Sequence, residues 1–275
     1  MEQKRTFGSF LLCMIHLFFF FIKETEKNLN LESKVTHTHT HKHKMSIKSV
    51  STVLYTIMCS TYMAALLNDN EPTLRALLKV VPILFLMFIS KTSTYGKKIK
   101  FGLLFSSFGD LFLELQELEG FDYFFILGLA SFLIGHVWYI AAYASGKLNL
   151  RASLLTPPTV FALGMIFVLF PHLDEDLKIP VCVYACVIGM MAGVALCRVA
   201  PSNDKSIDFN ASYVLGVLGA IVFVISDTTI AVDKFMFTIP NAKIFIMVTY
   251  YLAQLGIAMS VHGAEPMSSD QKKIK

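Results

Sequence analysis

A chain of 275 residues that is 55% hydrophobic, only 16% charged and of net charge +4, with a mean hydropathy of +0.58, has more apolar surface than one soluble core of this size needs. These figures exclude a soluble globular domain and point to an integral membrane protein. Crossing about 30 Å of hydrocarbon takes roughly 20 apolar residues, and the candidate runs leave no sequence over for a separate soluble domain.

The first 44 residues stand apart. Phe7 to Ile22 is a 16-residue apolar run after Lys4 and Arg5, short for a span and similar to a signal h-region, but no small-x-small cleavage site precedes Lys23. The tract that follows alternates His37, His39, His41 and His43 with threonine and lysine. Such alternation can be read as a metal tract, and it is also what a translated CA repeat encodes. We expect Met45 to be the start of the native protein, with residues 1–44 a low-complexity segment ahead of it.

Eight apolar runs follow, near 50–67, 72–90, 99–117, 121–145, 153–170, 180–199, 211–231 and 243–261. The expected fold is therefore all-α, a polytopic membrane helical bundle of about eight transmembrane helices over residues 45–262, with a cytosolic tail at 263–275. Lys91, Lys97, Lys98 and Lys100 follow the second run, Lys147 and Arg151 the fourth, Arg198 and Lys205 the sixth, and Lys272, Lys273 and Lys275 the eighth. The positive-inside rule places these segments in the cytosol. The alternate connections carry Asp69, Glu71, Glu117, Glu119, Asp122, Asp174, Glu175 and Asp176. Lys178, Lys234 and Lys243 are exceptions on that far side, but the alternation favours both ends in the cytosol.

Cys13, Cys59, Cys182, Cys186 and Cys197 are odd in number and sit in apolar runs without metal-ligand neighbours, so neither a disulfide framework nor a zinc site is expected. The informative residues are the polar ones within the spans. Asp110 lies in Phe101-GLLFSSFGDLFL and Asp227 in Gly219-AIVFVISDTTIAV. An ionisable side chain at membrane depth is costly enough to mark a proton, ion or substrate site. Asp110 falls about eleven residues, roughly 16 Å, into its helix, and Asp227 somewhat nearer the lumenal face of a parallel helix. Neighbouring spans bring Gln254, Tyr250 and Tyr251 to mid-depth, with His136 and Tyr139 just cytosolic of it. Lys79, three residues before Pro82, adds a cation.

Each residue also has a plainer reading. Asp110 could be a structural carboxylate neutralised by Lys79 or capped by Ser106 or Ser107, and Asp227 could snorkel to the interface. His136 could make an interhelical hydrogen bond, and Tyr250 and Tyr251 could belong to an aromatic belt. Glu114 and Glu117, on the same helix face as Asp110, are expected to meet lumenal water. Against the plain readings stands an internal echo: Gly102 and Gly219 each precede an aspartate by eight residues, four spans apart, as in a four-plus-four parallel duplication. Paired carboxyl groups do chemistry when their surroundings separate their proton affinities. With no Gly-x-Ser-x-Gly elbow, Cys-His pairing or metal constellation, acid-initiated chemistry on a membrane lipid fits better than serine, thiol or zinc hydrolysis. A proton-coupled lipid or small-molecule carrier, or a receptor, is the competing class.

Lys79-VVP, Phe105-SSFGDLFL, Gly135-HVWY, Ala220-IVFVISDTTIAVDKF and Val248-TYYLAQLGIAMS together resemble the lysoplasmalogenase family of multi-pass membrane proteins, also called the YhhN-like or transmembrane protein 86 family. The resemblance runs from about Val50 to Val261; Glu114 and the first 44 residues lie outside its pattern. It implies hydrolysis of the vinyl ether bond of lysoplasmalogens to a fatty aldehyde and glycerophospho-ethanolamine or -choline, without cofactor or metal. Its expected partners are the lysophospholipid and the bilayer, not nucleic acid. Asp110 and Asp227 would then be catalytic. Lys79, His136, Tyr139, Tyr250, Tyr251 and Gln254 would bind substrate or water, with Lys79 a candidate for the phosphate or for a carboxylate.

The terminal Lys272-KIK resembles a dilysine retrieval signal, a receptor-read address that points to the endoplasmic reticulum membrane. Replacing Lys272 and Lys273 together by serine should bring the protein to the cell surface, as read by staining of intact cells; unchanged staining would count against the signal.

Overall fold

The computed structural model describes residues 47–68, 70–119, 122–145, 148, 150–199 and 211–263, all within one compact unit that begins at Ser46. The expectations for residues 1–44 and for the terminal lysines fall outside the described residues. Among the described residues the chain forms eight α-helices: α1 (Ile47–Leu67), α2 (Pro72–Ile89), α3 (Thr94–Glu119), α4 (Asp122–Tyr143), α5 (Ala152–Leu169), α6 (Glu175–Val199), α7 (Ala211–Phe235) and α8 (Ala242–Met259). Short 3-10 turns, Phe170–His172 and Ser260–Gly263, continue α5 and α8. The eight expected spans are the eight helices. Four are longer than their apolar runs: α1 starts at Ile47, not 50, α3 at Thr94, not 99, and α6 at Glu175, not 180, and α7 ends at Phe235, not 231. Glu175 and Asp176 lie in the first turn of α6, where acidic side chains complement the helix dipole.

Seven of the eight helices are long and apolar enough to cross a membrane. The exception is α3, with Lys97, Lys98 and Lys100 toward one end and Asp110, Glu114 and Glu117 toward the other. This helix is placed where its charges find partners, packed against α2, α4 and α8. Burial separates centre from rim: 56% of the α8 span is buried but only 11% of the α5 span. α5 rests mainly on α6 and touches α7, leaving Phe161 and Phe167 exposed as a lipid-facing surface would require.

Glycine sets the two closest helix pairings. A Cβ on Gly102 of α3 would lie 2.1 Å from the Tyr139 ring of α4, and one on Gly135 of α4 3.0 Å from the Gly102 carbonyl oxygen. In α7 and α8 the same arrangement recurs: a Cβ on Gly219 would lie 2.7 Å from the Ala253 carbonyl oxygen, and one on Gly256 3.0 Å from the Gly219 Cα. Without a hydrophobic force between helices in lipid, such small residues let backbones approach and gain van der Waals contact. The two glycines noted for their distance from an aspartate are thus the crossing points of the two site-bearing helix pairs. Asp110 and Asp227 each lie about one turn beyond the midpoint of their helix, so they occupy equivalent places along it.

The basic side chains at the Lys-rich end have structural partners. The carbonyls that end α4 would otherwise be unsatisfied. Arg198 of α6 donates to the Tyr143 and Ser145 carbonyls at 2.8 and 3.0 Å, and Lys98 donates to the Ala141 carbonyl at 2.9 Å. The Arg198 guanidinium is sandwiched between the Tyr95 and Tyr213 rings, 4.5 and 4.4 Å from their centroids. Overpacking at a helix crossing costs about 1–3 kcal/mol or more, so Gly219→Leu should lower the unfolding midpoint in detergent. Gly164→Leu, where an added Cβ meets nothing within 4 Å, should leave it nearly unchanged.

Candidate active site

Helical spacing gathers the polar residues. Arg75 and Lys79 are one turn apart on α2, and Asp110, Glu114 and Glu117 follow one face of α3, so the two faces mesh as alternating charges. The Lys79 ammonium lies 3.3 Å from Glu114 and 3.9 Å from Asp110 Oδ1. Arg75 reaches Glu114 at 3.3 Å and Glu117 at 3.2 Å, and Lys243 at the start of α8 meets Glu117 at 2.8 Å. Glu117 is exposed, as expected. Glu114 is not: it is 4% exposed, because two cations compensate its charge and draw it into the bundle.

Asp110, 2% exposed, has a second partner in α8. Tyr250 donates its hydroxyl proton to Asp110 Oδ2 at 2.5 Å. The adjacent Tyr251 points to α2 and donates to the Lys79 carbonyl at 3.0 Å. Pro82 lacks the amide that would bond the carbonyl four residues back, and Tyr251 binds the next carbonyl of this weakened turn. Tyr55 of α1 donates to the Tyr251 carbonyl at 2.8 Å, tying in the outer helix. Both tyrosines are buried inside the bundle and form no interfacial belt.

Asp227 has a different setting. Tyr184 of α6 donates to its Oδ2 through a short hydrogen bond, and among the described residues Asp227 forms no ion pair. It is only half-buried and lines two small clefts of about 60 Å³ each, one between α4, α6 and α7 and one between α5, α6 and α7. The rest of their lining is almost wholly apolar, apart from Tyr184 in both and Thr228 in the second.

His136, Phe223 and Phe132 link the two tyrosines that hold the aspartates. The His136 ring centroid lies 5.3 Å from Tyr184 and 4.7 Å from Phe223, and Phe223 lies 5.5 Å from Tyr250, all edge to face. One continuous chain of contacts therefore runs from Asp227 through Tyr184, His136, Phe223 and Tyr250 to Asp110. Beside it, Tyr139 donates to Gln254 Oε1 at 2.7 Å, and the Ser106 and Tyr139 hydroxyls are 3.4 Å apart. His136 and Gln254 are fully buried, yet neither His136 ring nitrogen nor the Gln254 amide nitrogen has a protein partner. Buried polar atoms are normally paired, so these three point to a polar guest in the cluster.

Of the eight residues expected at a site, Asp110, Lys79, Tyr250 and Tyr251 converge directly, Tyr139 pairs with Gln254, and His136 stands between this group and Asp227. Four participants were not expected at the site, Glu114 among them because it was assigned to lumenal water. Arg75 and Glu114 had a signal, opposite charges spaced by four residues from Lys79 and Asp110. Tyr184 and Phe223 had none, being ordinary members of apolar runs.

Fold and cluster define a multi-pass helical membrane protein whose core is polar, built by six helices around two carboxyl groups. Residues 74–261 match the YhhN family, and the chain belongs to it. Its relatives include lysoplasmalogenase TMEM86A of Bos taurus, 33% identical over 219 residues that cover 76% of this chain and 87% of the relative. The Homo sapiens TMEM86A is 31% identical over the same coverage. Lysoplasmalogenase TMEM86B of Sus scrofa is 29% identical, covering 74% of this chain and 82% of the relative. No solved structure matches the chain.

Removing one member of a buried ion pair leaves its partner uncompensated, at about 3–5 kcal/mol. Lys79→Met should therefore lower the unfolding midpoint far more than Lys178→Met, whose pair with the largely exposed Glu175 is worth about 0–1 kcal/mol. Equal shifts for the two variants would contradict the buried-pair assignment.

Proposed function

We propose that this protein is a lysoplasmalogenase, a membrane-embedded hydrolase that cleaves the vinyl ether of lysoplasmalogens using Asp110 and Asp227 as its acid–base pair. The observation that carries the mechanism is the placement of two carboxyl groups, in unlike surroundings, on either side of one enclosed cluster. The names of the relatives supply the substrate class.

The chemistry matches such a pair. Protonation of the vinyl carbon remote from oxygen turns the ether into an oxocarbenium ion. A carboxylate stabilises that cation and accepts a proton from the attacking water. The hemiacetal then collapses to an aldehyde and the glycerol hydroxyl. His136 and Gln254, with ring and amide nitrogens free of protein partners, are suited to hold water or the hemiacetal hydroxyl. Tyr139 orients Gln254, and Tyr250 orients Asp110. Lys79 holds Asp110 and Glu114 in place, and Tyr251 braces the Lys79 turn. The terminal lysines make the endoplasmic reticulum membrane the proposed site of this activity.

Asp110→Asn and Asp227→Asn should each reduce aldehyde release from lysoplasmalogen by about 10²-fold or more, and the saturated ether analogue should not react with any form. Turnover in heavy water should leave a single deuterium on the carbon next to the aldehyde. Near wild-type rates in either variant would remove that aspartate from the mechanism, and an unlabelled aldehyde would rule out protonation at carbon.

A further inference from the structure

Two carboxyl groups in one reaction need opposite protonation states at the outset, and their surroundings differ enough to say which is which. Resting on the proposed activity, we infer that Asp227 is the proton donor to the vinyl carbon and that Asp110 is the ionised partner that stabilises the cation and takes the proton of water.

Charge balance makes the first argument. The connected network around Asp110 holds three cations, Arg75, Lys79 and Lys243, against Glu114 and Glu117. A third anion balances it, and the acid left to supply that charge is Asp110, in contact with Lys79 and receiving the Tyr250 proton. An ion pair buried with a partner missing is strongly disfavoured. Asp110 therefore rests as a carboxylate.

The setting of Asp227 is the reverse. Its hydrogen-bond partner is the neutral Tyr184, and among the described residues it has no ion pair. The nearest base in the contact chain is His136, whose ring packs on Tyr184. His136 is fully buried and forms no ion pair among the described residues, and a cation buried unpaired is strongly disfavoured, so His136 is neutral and gives Asp227 no counter-charge. A carboxylate without a cation in an apolar site takes up a proton instead. Asp227 is also the acid that an alkenyl chain can approach. It lines the clefts whose walls include Met165, Leu169, Val181, Ile188 and Val224.

This division closes the proton cycle. Asp227 gives its proton to the vinyl carbon, whose π pair forms the new C–H bond. Water adds to the oxocarbenium carbon and loses a proton to Asp110. In collapse, Asp110 returns that proton to the glycerol oxygen as its bond to carbon breaks, and Asp227 accepts the hemiacetal hydroxyl proton as the aldehyde forms. One water is consumed, and both groups regain their starting states.

Infrared spectra of the full-length protein in lipid nanodiscs at neutral pH would test the assignment, since the carbonyl stretch of a protonated carboxyl lies clear of the carboxylate bands. The band should be present in the wild type, vanish in Asp227→Asn and persist in Asp110→Asn and Glu114→Gln. Because an aspartate variant can fail to fold, the conservative pair provides a second reading. Tyr184→Phe, which removes the hydrogen bond to Asp227, should shift the band, and Tyr250→Phe should not. Absence of the band, or its loss with Asp110→Asn and shift with Tyr250→Phe, would overturn the assignment. If that reversed pattern came with inactivity of both Asn variants, only the division of roles would fall; active Asn variants would remove the acid pair itself.

Discussion

The structure depends on compensating charge inside an apolar bundle. α3 is the helix whose composition does not suit it to the membrane, yet it lies against α2, α4 and α8 near the centre of the fold. It is held there by Lys79 and Arg75 of α2, which meet Asp110 and Glu114, and by Tyr250 of α8. A charged group at the bilayer centre costs several kcal/mol when isolated, and the cost falls when a partner faces it. The polar faces of α2 and α3 therefore specify one neighbour and one register. The apolar faces of α5 specify much less, and that helix is correspondingly peripheral.

That constraint also shapes the site. The alternating charges extend from the exposed Lys243 and Glu117 inward to Asp110, and they stop there. Beyond Phe223 and His136 the remaining carboxyl, Asp227, meets tyrosine and hydrocarbon. On the proposed assignment, a region bounded by a charge-compensated acid on one side and an uncompensated acid on the other would supply both a proton donor and a proton acceptor without any change in structure. General acid–base chemistry needs that asymmetry, and the same low dielectric that makes the groups expensive strengthens their effect.

The two halves of the bundle resemble each other in the way they build this site. Gly102 and Gly219 mark the closest crossings of α3 with α4 and of α7 with α8, and an aspartate follows each by two helical turns and one residue. In each half a side chain of the preceding helix reaches that aspartate: Lys79 of α2 to Asp110, and Tyr184 of α6 to Asp227. The difference between lysine and tyrosine then accounts for the different electrostatic character of the two acids.

Much of this was legible in the residues themselves. Hydrophobic runs of span length define seven of the eight helices whatever their neighbours, because backbone groups in lipid must be satisfied within their own segment. Polar residues inside those runs stand out for the same reason, so Asp110, Asp227, His136 and Gln254 could be named before any fold was known. The burial of Glu114 was misread, since a helix drawn alone appears to end in water while the packed helix has Arg75 and Lys79 across from it. Tyr184 and Phe223 were invisible, because an aromatic residue in an apolar run has the same local signature whether it faces lipid or a carboxyl group. The sequence by itself determined the number of helices, their approximate limits and the costly acids, all consequences of the solvent. Only the tertiary structure decided which acid faces cations and which faces tyrosine and hydrocarbon, because that depends on side chains from helices far apart in the chain meeting at one depth.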